Sequence, residues 1–273
     1  MKSYYRNKKI LITGAASGIG RRFAERVHQI AGSELILWDL NVAELNAFRD
    51  QLTAKSGLKN VHVTGIDISD QERINLESEH LKKENLLPDI ILNCAAVVTG
   101  SYFHLHSVQQ IGNTIKINVL GSMWVVQAFI SEMISRGSGQ IVNMASASGY
   151  IGNPKMSVYA SSKWAILGWS ESLRLEMEQL RTGIGVTTVI PSYINTGMFK
   201  GVKAPVLTPI LTTDQIVDKM LQGIAAGKSE IRAPFIVHFT PFLKAVLPKK
   251  AFDWLAGRVF GVYHSMDTFE GRT

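Results

Sequence analysis

A tyrosine and a lysine stand four positions apart in the stretch YASSKWAILGW, residues 159–169. Residues at positions i and i+4 lie on the same face of an α-helix, so the side chains of Tyr159 and Lys163 are neighbours if this stretch is helical. A phenol with a pKa of about 10 is a poor base near neutral pH, and a nearby ammonium lowers that pKa by stabilising the phenolate. The pair is therefore a candidate for proton transfer to or from an oxygen atom. The simpler alternative is an amphipathic helix that happens to carry both residues.

A glycine-rich loop, TGAASGIG at residues 13–20, connects an apolar run to a helix-like segment. Gly14 permits a tight turn, Gly18 allows the backbone to approach a pyrophosphate, and Gly20 allows the helix to pack closely on the strand. The N-terminus of the helix that follows offers N–H groups and a positive dipole to an anion. The context of strand, turn and helix predicts a dinucleotide site.

An acidic residue, Asp39, ends the next apolar run, 19 positions after Gly20. This is close to the spacing expected of a carboxylate that accepts hydrogen bonds from the adenine ribose diol. Such a carboxylate repels a 2′-phosphate, and neither Ser17 nor Leu40 supplies a cation to neutralise one. The pattern predicts NAD(H) rather than NADP(H). The alternative role for Asp39 is to cap the following helix.

Apolar runs of strand length alternate with longer segments of helical period along the chain. The predicted strands are Ile10–Thr13, Glu34–Asp39, Val61–Asp67, Ile90–Ala95, Ile141–Ala145 and Val186–Pro191, and the predicted helices include Ile19–Ala31, Val42–Ser56, Gln71–Glu84, Thr114–Arg136 and Val158–Arg181. This alternation predicts a single α/β domain over residues 1–273, a Rossmann-type doubly wound parallel sheet with helices on both faces. Residues 197–273 are expected to contain the substrate loop and an apolar, basic C-terminal extension.

The motifs together resemble those of the short-chain dehydrogenase/reductase superfamily. The glycine spacing resembles its TGxxxGxG loop, and Tyr159 with Lys163 resembles its YxxxK motif. The further matches are NCAA at 93–96, Asn118 in INVLG, Ser146 at 13 positions before the tyrosine, and PSYINT at 191–196. Cys94, Ala96 and Ser192 depart from the family pattern at positions that shape the cofactor cradle through the backbone.

The resemblance implies an oxidoreductase that interconverts an alcohol with a ketone or aldehyde. The resemblance implies that Tyr159 transfers the proton and that Lys163 stabilises the phenolate and contacts the nicotinamide ribose. It also implies that Ser146 hydrogen-bonds the substrate oxygen and that Asn118 helps to hold a water that connects Lys163 to solvent. The residues that it implies for NAD binding are Gly14, Ser17, Gly18, Ile19, Gly20, Asp39, Asp67, Ile68, Asn93, Ala95, Tyr159, Lys163, Pro191, Ile194 and Thr196. For Asp67, which would contact adenine, the alternative is an N-cap for the segment that begins at Ser69.

Three further stretches resemble the branch that contains the retinol dehydrogenases and the hydroxysteroid (17-beta) dehydrogenases. They are LILWDLN at 35–41, YINTGMF at 193–199 and SMDTF at 265–269. The branch implies an apolar substrate such as a retinoid, a steroid or a long-chain lipid. Its members generally carry an apolar anchor before the first strand, where this chain has nine residues, so a cytoplasmic or peripheral protein is expected. The segment 235–263 combines large apolar residues with lysines and could form an apolar lid, lie on an anionic surface, or simply pack on the core and a subunit partner.

Composition narrows the classes of protein further. A net charge of +7 fits anionic ligands or ordinary solubility, and the short basic groups accompany no nucleic-acid motif. One cysteine supports neither a disulfide framework nor a zinc cluster, and His62, His104, His106 and His238 lack metal-ligand spacing. The chain has no run of 18 consecutive apolar residues, so no membrane span is expected. The helices at 114–136 and 158–181 resemble the pair through which family members form homodimers and homotetramers.

Three alternative functions remain open from the sequence. Reduction of a 3-oxoacyl thioester would need a basic patch at the site mouth, for which Lys155, Lys200 and Lys203 are candidates. A non-catalytic dinucleotide sensor would be expected to lack Tyr159 or Lys163. A peripheral lipid-surface protein with a purely structural cofactor would depend on the C-terminal segment.

Overall fold

The computed structural model describes residues 1–271, and residues 272–273 at the end of the predicted C-terminal extension lie outside the described residues. A seven-stranded, entirely parallel sheet forms the centre of the molecule, in the order β3-β2-β1-β4-β5-β6-β7. The strands are β1 (Lys9–Thr13), β2 (Glu34–Asp39), β3 (Val61–Gly65), β4 (Ile90–Asn93), β5 (Gly139–Met144), β6 (Ile184–Pro191) and β7 (Glu230–Ala233).

The central strands are continuous apolar runs because helices cover both faces of the sheet. In β1, Ile10 and Ile12 belong to a hydrophobic cluster on one face, and Leu11 belongs to the cluster on the other face. All three side chains are fully buried. Successive side chains of one strand therefore contribute to the two hydrophobic cores on opposite faces of the sheet. The predicted fold class is confirmed.

Helices connect the strands and frame the sheet. They are α1 (Lys2–Tyr5), α2 (Gly18–Ala31), α3 (Val42–Ser56), α4 (Gln71–Lys83), α5 (Val108–Ile115), α6 (Ser122–Arg136), α7 (Ser157–Gln179), α8 (Thr213–Ala225), α9 (Thr240–Val246) and α10 (Lys249–Trp254). Polar side chains cap the N-termini of several of these helices. The side chain of Asn41 accepts a hydrogen bond from the N–H of Glu44 at the start of α3, and that of Asp70 accepts one from the N–H of Arg73 at the start of α4. Gly32 and Gly57 end α2 and α3 in the left-handed conformation.

Several observed elements differ from the predicted ones. The third and fourth strands end at Gly65 and Asn93, two residues before the predicted ends, because the chain turns away from the sheet at its carboxyl edge. β7 was not predicted, since four residues with alternating burial give too short a signal. The helix predicted from Thr114 begins at Val108, after the N-cap Ser107, which forms a capping box with Gln110.

One continuous helical segment, Val108–Arg136, is long and apolar enough to cross a membrane by length and composition. It consists of α5, a π-helical turn at Lys116–Gly121, and α6. Four of its buried apolar side chains, Val125, Val126, Phe129 and Met133, belong to the hydrophobic cluster on one face of the sheet. Core packing thus explains why these four positions are apolar.

The strand order reverses between β1 and β4. The chain passes from β1 outward to β2 and β3, and then returns to place β4 on the other side of β1. The loops that follow β1 and β4 consequently leave the sheet in opposite directions and open a crevice at its carboxyl edge. Ligands of open α/β sheets bind at such a switch point.

Candidate active site

The glycine loop and the loop after β4 meet closely at the switch point. The hydroxyl oxygen of Thr13 accepts hydrogen bonds from the N–H groups of Cys94 and Ala95, at 3.1 and 3.2 Å. Gly14 has a φ of +68°, and a Cβ at this position would lie 2.8 Å from Cα of Ala95. A side chain at position 14 would therefore push the two loops apart.

The other two glycines are also required by close approaches. A Cβ on Gly20 would lie 2.4 Å from the carbonyl oxygen of Gly14. Gly18, with a φ of +56°, is the first residue of α2, and a Cβ there would lie 3.3 Å from Cβ of Thr196. The start of α2 thus faces the loop after β6 across a narrow cleft, and the first-turn N–H groups of a helix have no intrahelical acceptor. This geometry fits a bound pyrophosphate.

Asp39 ends β2 and is tied to the glycine loop. One carboxylate oxygen accepts from the N–H of Ala16 at 3.0 Å, and the other accepts from the N–H of Asn41 at 3.0 Å. The N-cap of α3 is Asn41, so the alternative that Asp39 caps this helix is wrong. A second acid that the sequence did not suggest, Glu44, lines the same end of the crevice and pairs with Arg21 at 3.2 Å.

Asp67 lies beyond the end of β3, where its carboxylate accepts from the N–H of Ser69 at 2.8 Å. The helix that follows is capped by Asp70 and begins at Gln71, so Asp67 is not its N-cap. Asp67 and Ile68 both line the crevice.

Tyr159 and Ser146 meet in the crevice, although they come from different elements. Ser146 follows β5 and caps a short 3₁₀ turn, its Oγ accepting from the N–H of Ser148 at 3.2 Å. Tyr159 lies in the first turn of α7 and is 4% exposed. Both side chains line the crevice, and Ser146 is close enough to lower the pKa of Tyr159. A substrate oxygen placed between them would contact both.

Lys163 lies one turn along α7, with its Nζ 5.6 Å from the centre of the Tyr159 ring. The Nζ donates to the carbonyl oxygen of Met144, at the end of β5, at 2.8 Å. Burial lowers the pKa of Lys163 to about 8, against a weaker opposing effect of Cys94.

The pKa of Tyr159 differs from the sequence-based expectation. Burial raises this pKa, and the Ser146 side chain opposes the rise. Lys163, whose Nζ donates to the carbonyl oxygen of Met144, is not among the causes of this shift. The protein groups by themselves hold Tyr159 as a protonated phenol, the form that donates a proton.

Asn118 occupies the π-helical turn between α5 and α6. Its side chain accepts from the N–H of Val97 at 2.8 Å and donates to the carbonyl oxygen of Val97 at 2.9 Å and to Ser162 Oγ at 3.0 Å. It therefore ties the loop after β4 to α7 behind the crevice. π-Helical turns are frequent at functional sites.

The crevice is a cavity of about 710 Å³. It brings together most of the predicted site residues, namely Gly14, Ser17, Gly18, Ile19, Asp39, Asp67, Ile68, Ala95, Ser146, Tyr159, Lys163, Pro191, Ile194 and Thr196. Gly20, Asn93 and Asn118 do not line it. The side-chain amide of Asn93 instead donates to the carbonyl of Ser122 and to the side chain of Asn143. The Asn93 side chain is thus directed into the protein, which does not fit a direct contact with the cofactor.

The sequence did not indicate which individual side chains close the rest of the cavity, although an apolar lid was one of the roles expected for residues 235–263. Some come from loops beside the catalytic helix, such as Asn153 and Phe199. The others come from the C-terminal segment: Ile236, Val237, Thr240, Leu243, Phe252, Leu255, Ala256, Phe260 and Val262. The apolar composition of residues 235–263 was visible in the sequence, but the position of this segment in the fold was not.

Cys94, which departs from the family pattern, lines the cavity near Lys163. Burial raises the pKa of its thiol to about 12, although Lys163 acts in the opposite direction. The thiol is therefore protonated near neutral pH, and its substitution for asparagine changes the shape of the cradle rather than adding a nucleophile.

The sheet order and the crevice define a Rossmann-type nucleotide-binding fold. The structure superposes on a short-chain dehydrogenase/reductase from Burkholderia phymatum in complex with NAD with a TM-score of 0.78, at 22% identity, over 87% of this chain and 92% of that one. It superposes on a short-chain dehydrogenase from Sphingobium yanoikuyae in complex with NADPH with a TM-score of 0.76, at 27% identity, over 84% and 89% of the two chains.

Residues 8–206 match the family model of the short chain dehydrogenases, and the chain belongs to that family. It is 35% identical to epidermal retinol dehydrogenase 2 of Mus musculus over 266 residues, 96% of this chain and 85% of the relative. It is 34% identical to estradiol 17-beta-dehydrogenase 11 of Homo sapiens over 244 residues, 88% and 79% of the two chains. The predicted family and its retinol and steroid dehydrogenase branch are thus confirmed, and the protein is an oxidoreductase of alcohol and carbonyl groups with a nicotinamide dinucleotide site.

Proposed function

We propose that the protein is an NAD(H)-dependent oxidoreductase that interconverts an apolar alcohol with its ketone or aldehyde. The observation that carries this proposal is that Ser146 and Tyr159 line one cavity together with the glycine loop and with apolar side chains of the C-terminal segment. The substrate class is a retinoid, a steroid or a long-chain lipid.

Tyr159, Ser146 and Lys163 have different roles in proton transfer at the substrate oxygen. Tyr159 donates its phenolic proton to that oxygen in reduction and receives the proton back in oxidation. Ser146 hydrogen-bonds the same oxygen and stabilises the negative charge that develops there. Bound NAD(H) would supply the hydride donor or acceptor. Lys163 holds a positive charge beside the Tyr159 ring when it is protonated, which favours the phenolate in the oxidation direction.

The preference for NAD(H) is supported by the acids at the adenosine end of the crevice. Asp39 and Glu44 both line it, and the Arg21 guanidinium is already paired with Glu44. A 2′-phosphate would bring two further negative charges towards these carboxylates. The ribose diol, by contrast, can donate to Asp39.

The apolar substrate class is supported by the outer arm of the cavity. The walls there are large apolar side chains from the C-terminal segment, among them Leu243, Phe252 and Phe260. A ligand that is apolar over most of its length would lose contact with water along this arm, while its one oxygen reaches Ser146 and Tyr159.

A peripheral lipid contact is part of the proposal. Phe235, Phe242 and Trp254 are 75%, 62% and 58% exposed on the outer side of the same C-terminal segment whose inner side lines the cavity. The charge favours an anionic surface, because Lys249 and Lys250 begin α10. We propose a cytoplasmic homodimer or homotetramer that takes its substrate from such a surface.

The experiment that tests this proposal follows NADH and NADPH absorbance with purified protein and a panel of retinoid, steroid, long-chain and 3-oxoacyl substrates. Turnover of an apolar carbonyl that falls at least about a hundredfold in Tyr159→Phe, with NADH affinity retained, is the expected result. Preferential turnover of the thioesters would support the alternative in which Lys155, Lys200 and Lys203 meet an acidic carrier. NADH binding without turnover of any substrate would support a dinucleotide sensor.

A further inference from the structure

A buried group of three polar side chains joins the catalytic region to the end of the chain. The side-chain amide of Asn153 donates to the hydroxyl of Tyr193 at 3.2 Å and to Oγ of Ser265 at 2.9 Å. The hydroxyl groups of Tyr193 and Ser265 lie 2.7 Å apart, and Ser265 also donates to the carbonyl oxygen of Val262 at 2.7 Å. We call these three residues the polar clamp.

Each member of the polar clamp comes from a different part of the site. Asn153 lies between Ser146 and the catalytic helix, Tyr193 lies in the loop that follows β6, and Ser265 lies beyond the last helical turn of the C-terminal segment. All three are at least nine-tenths buried. Of these residues, Asn153 and Tyr193 line the cavity. The hydrogen bonds therefore connect two walls of the cavity to Ser265, which is 112 positions from Asn153 and 72 from Tyr193 in sequence.

Aromatic contacts extend from the polar clamp to the reacting groups. The ring of Phe199 lies edge-on to Tyr193 at 5.3 Å and edge-on to Tyr159 at 5.7 Å between ring centres. Phe269, four residues after Ser265, lies 6.5 Å from Phe199. Met266 is buried in the same cluster. A shift of the C-terminal segment would thus be transmitted to Phe199 and to the substrate face of Tyr159.

We propose that Asn153, Tyr193 and Ser265 are positioning residues that hold the C-terminal segment in register as a wall of the substrate arm. This proposal rests on the proposed function, since it concerns selection of a large apolar substrate by that arm. Apolar contacts permit sliding, whereas hydrogen bonds are directional, and a buried polar group that loses its partner carries a free-energy penalty. The polar clamp therefore allows one register of residues 262–269 against the catalytic region.

The side-chain oxygen of Asn153 supports a role for this residue beyond filling space. Oδ1 of Asn153 is buried and has no hydrogen-bond partner among residues 1–271. An apolar side chain would fill this site without that cost. The asparagine is explained by its amide donors, which reach both hydroxyl groups at once.

Tyr193→Phe tests the proposal, because it removes the hydroxyl and retains the ring that packs on Phe199. Tyr263→Phe is the matched control, since the hydroxyl of Tyr263 donates to Asp253 at 2.7 Å within the same C-terminal segment but outside the cavity. KM and kcat are measured for a long apolar carbonyl substrate and for a short one, together with NADH affinity. Hydrogen exchange of the amides of residues 264–270 is measured in parallel.

The expected result is a rise of about three- to tenfold in KM for the long substrate in Tyr193→Phe, with kcat, NADH affinity and the KM of the short substrate retained. Exchange at residues 264–270 is expected to become faster in Tyr193→Phe than in Tyr263→Phe. Ser265→Ala should give the same pattern, and adding it to Tyr193→Phe should give little further change.

Equal changes in Tyr193→Phe and Tyr263→Phe would overturn the proposal, because they would reflect general loosening of the segment. Unchanged exchange and unchanged KM would overturn it also. If the wild-type protein turns over no carbonyl substrate, the proposed function fails, whereas the exchange comparison still decides whether the polar clamp holds the segment.

Discussion

The Nζ of Lys163 is hydrogen-bonded to the carbonyl oxygen of Met144 at 2.8 Å. This bond joins α7 to the end of β5, immediately before the loop that carries Ser146. It places the lysine beside the Tyr159 ring but directs the ammonium to the backbone. The lysine therefore both orients α7 and supplies a titratable charge in a buried position.

The buried lysine should make stability depend on pH. Its pKa is lowered from 10.5 to about 8 in the folded protein, so between these values the unfolded chain binds more protons and the free energy of unfolding rises with pH. Between pH 8 and pH 10 the contribution is about 2 kcal/mol. Chemical denaturation of the wild type and of Lys163→Met measures it as the difference between their two pH dependences. Parallel pH dependences for the two proteins would show that the pKa of Lys163 is not lowered.

Removing the Ser146 hydroxyl should affect turnover and leave cofactor binding intact. Ser146→Ala is expected to lower kcat about 10²-fold with an NADH affinity within about twofold of wild type, because the lost bond stabilises charge at the substrate oxygen. Ser161→Ala is a suitable control, since its hydroxyl bonds the carbonyl of Val158 within α7 on an exposed position. Equal kcat values for the two variants would remove Ser146 from the chemistry.

The cofactor preference should follow the charge at the end of β2. In the double variant Asp39→Ser with Leu40→Arg, we expect the ratio of kcat/KM for NADPH over NADH to rise at least about tenfold, because a repelling carboxylate is replaced by a cation. Leu40 is 66% exposed, so an arginine is accommodated there. Steady-state kinetics with both cofactors give the ratio, and an unchanged value would mean that Asp39 does not contact the ribose.

Gly14 should be intolerant of a side chain for reasons beyond its backbone conformation. Gly14→Ala would bring a Cβ within 2.8 Å of Ala95, whereas Gly57→Ala, at a similar φ of +71°, meets nothing within 4 Å. Both variants bear the cost of a left-handed alanine, about 1 kcal/mol. Gly14→Ala is expected to lose more stability and at least about tenfold in NADH affinity, as measured by thermal unfolding and fluorescence titration. Matching losses in the two variants would show that the loops after β1 and β4 can separate freely.

The exposed aromatic residues of the C-terminal segment should mediate contact with anionic lipid. We expect wild-type protein to float with vesicles that contain phosphatidylserine, and Phe242→Ser with Trp254→Ser to reduce the bound fraction severalfold because apolar area no longer enters the interface. Phe103→Ser with Leu105→Ser is the matched control, as these side chains are also more than 60% exposed but lie outside the C-terminal segment. Equal flotation of both variants would exclude the C-terminal segment as the contact.

Much of the inner site could be predicted from sequence because its signals are local. The i, i+4 relation of Tyr159 and Lys163 follows from helical geometry, and the role of Gly14 follows from the turn between a strand and a helix. The alternation of apolar runs determined the parallel sheet, and a parallel sheet brings the carboxyl ends of its strands to one edge. The order of the strands, and hence the meeting of the loops after β1 and β4, came only from the tertiary structure.

The outer site required the tertiary structure because its contacts are long-range. Asn153 and Ser265 are 112 positions apart, and no periodicity in either segment indicates that they meet. The direction of the Lys163 ammonium towards Met144 and the raised pKa of Tyr159 likewise depend on burial, which the surrounding elements create together. The sequence by itself determined the fold class, the glycine loop and the candidate catalytic residues; the shape of the cavity and the electrostatic state of those residues were decided only when distant segments packed against one another.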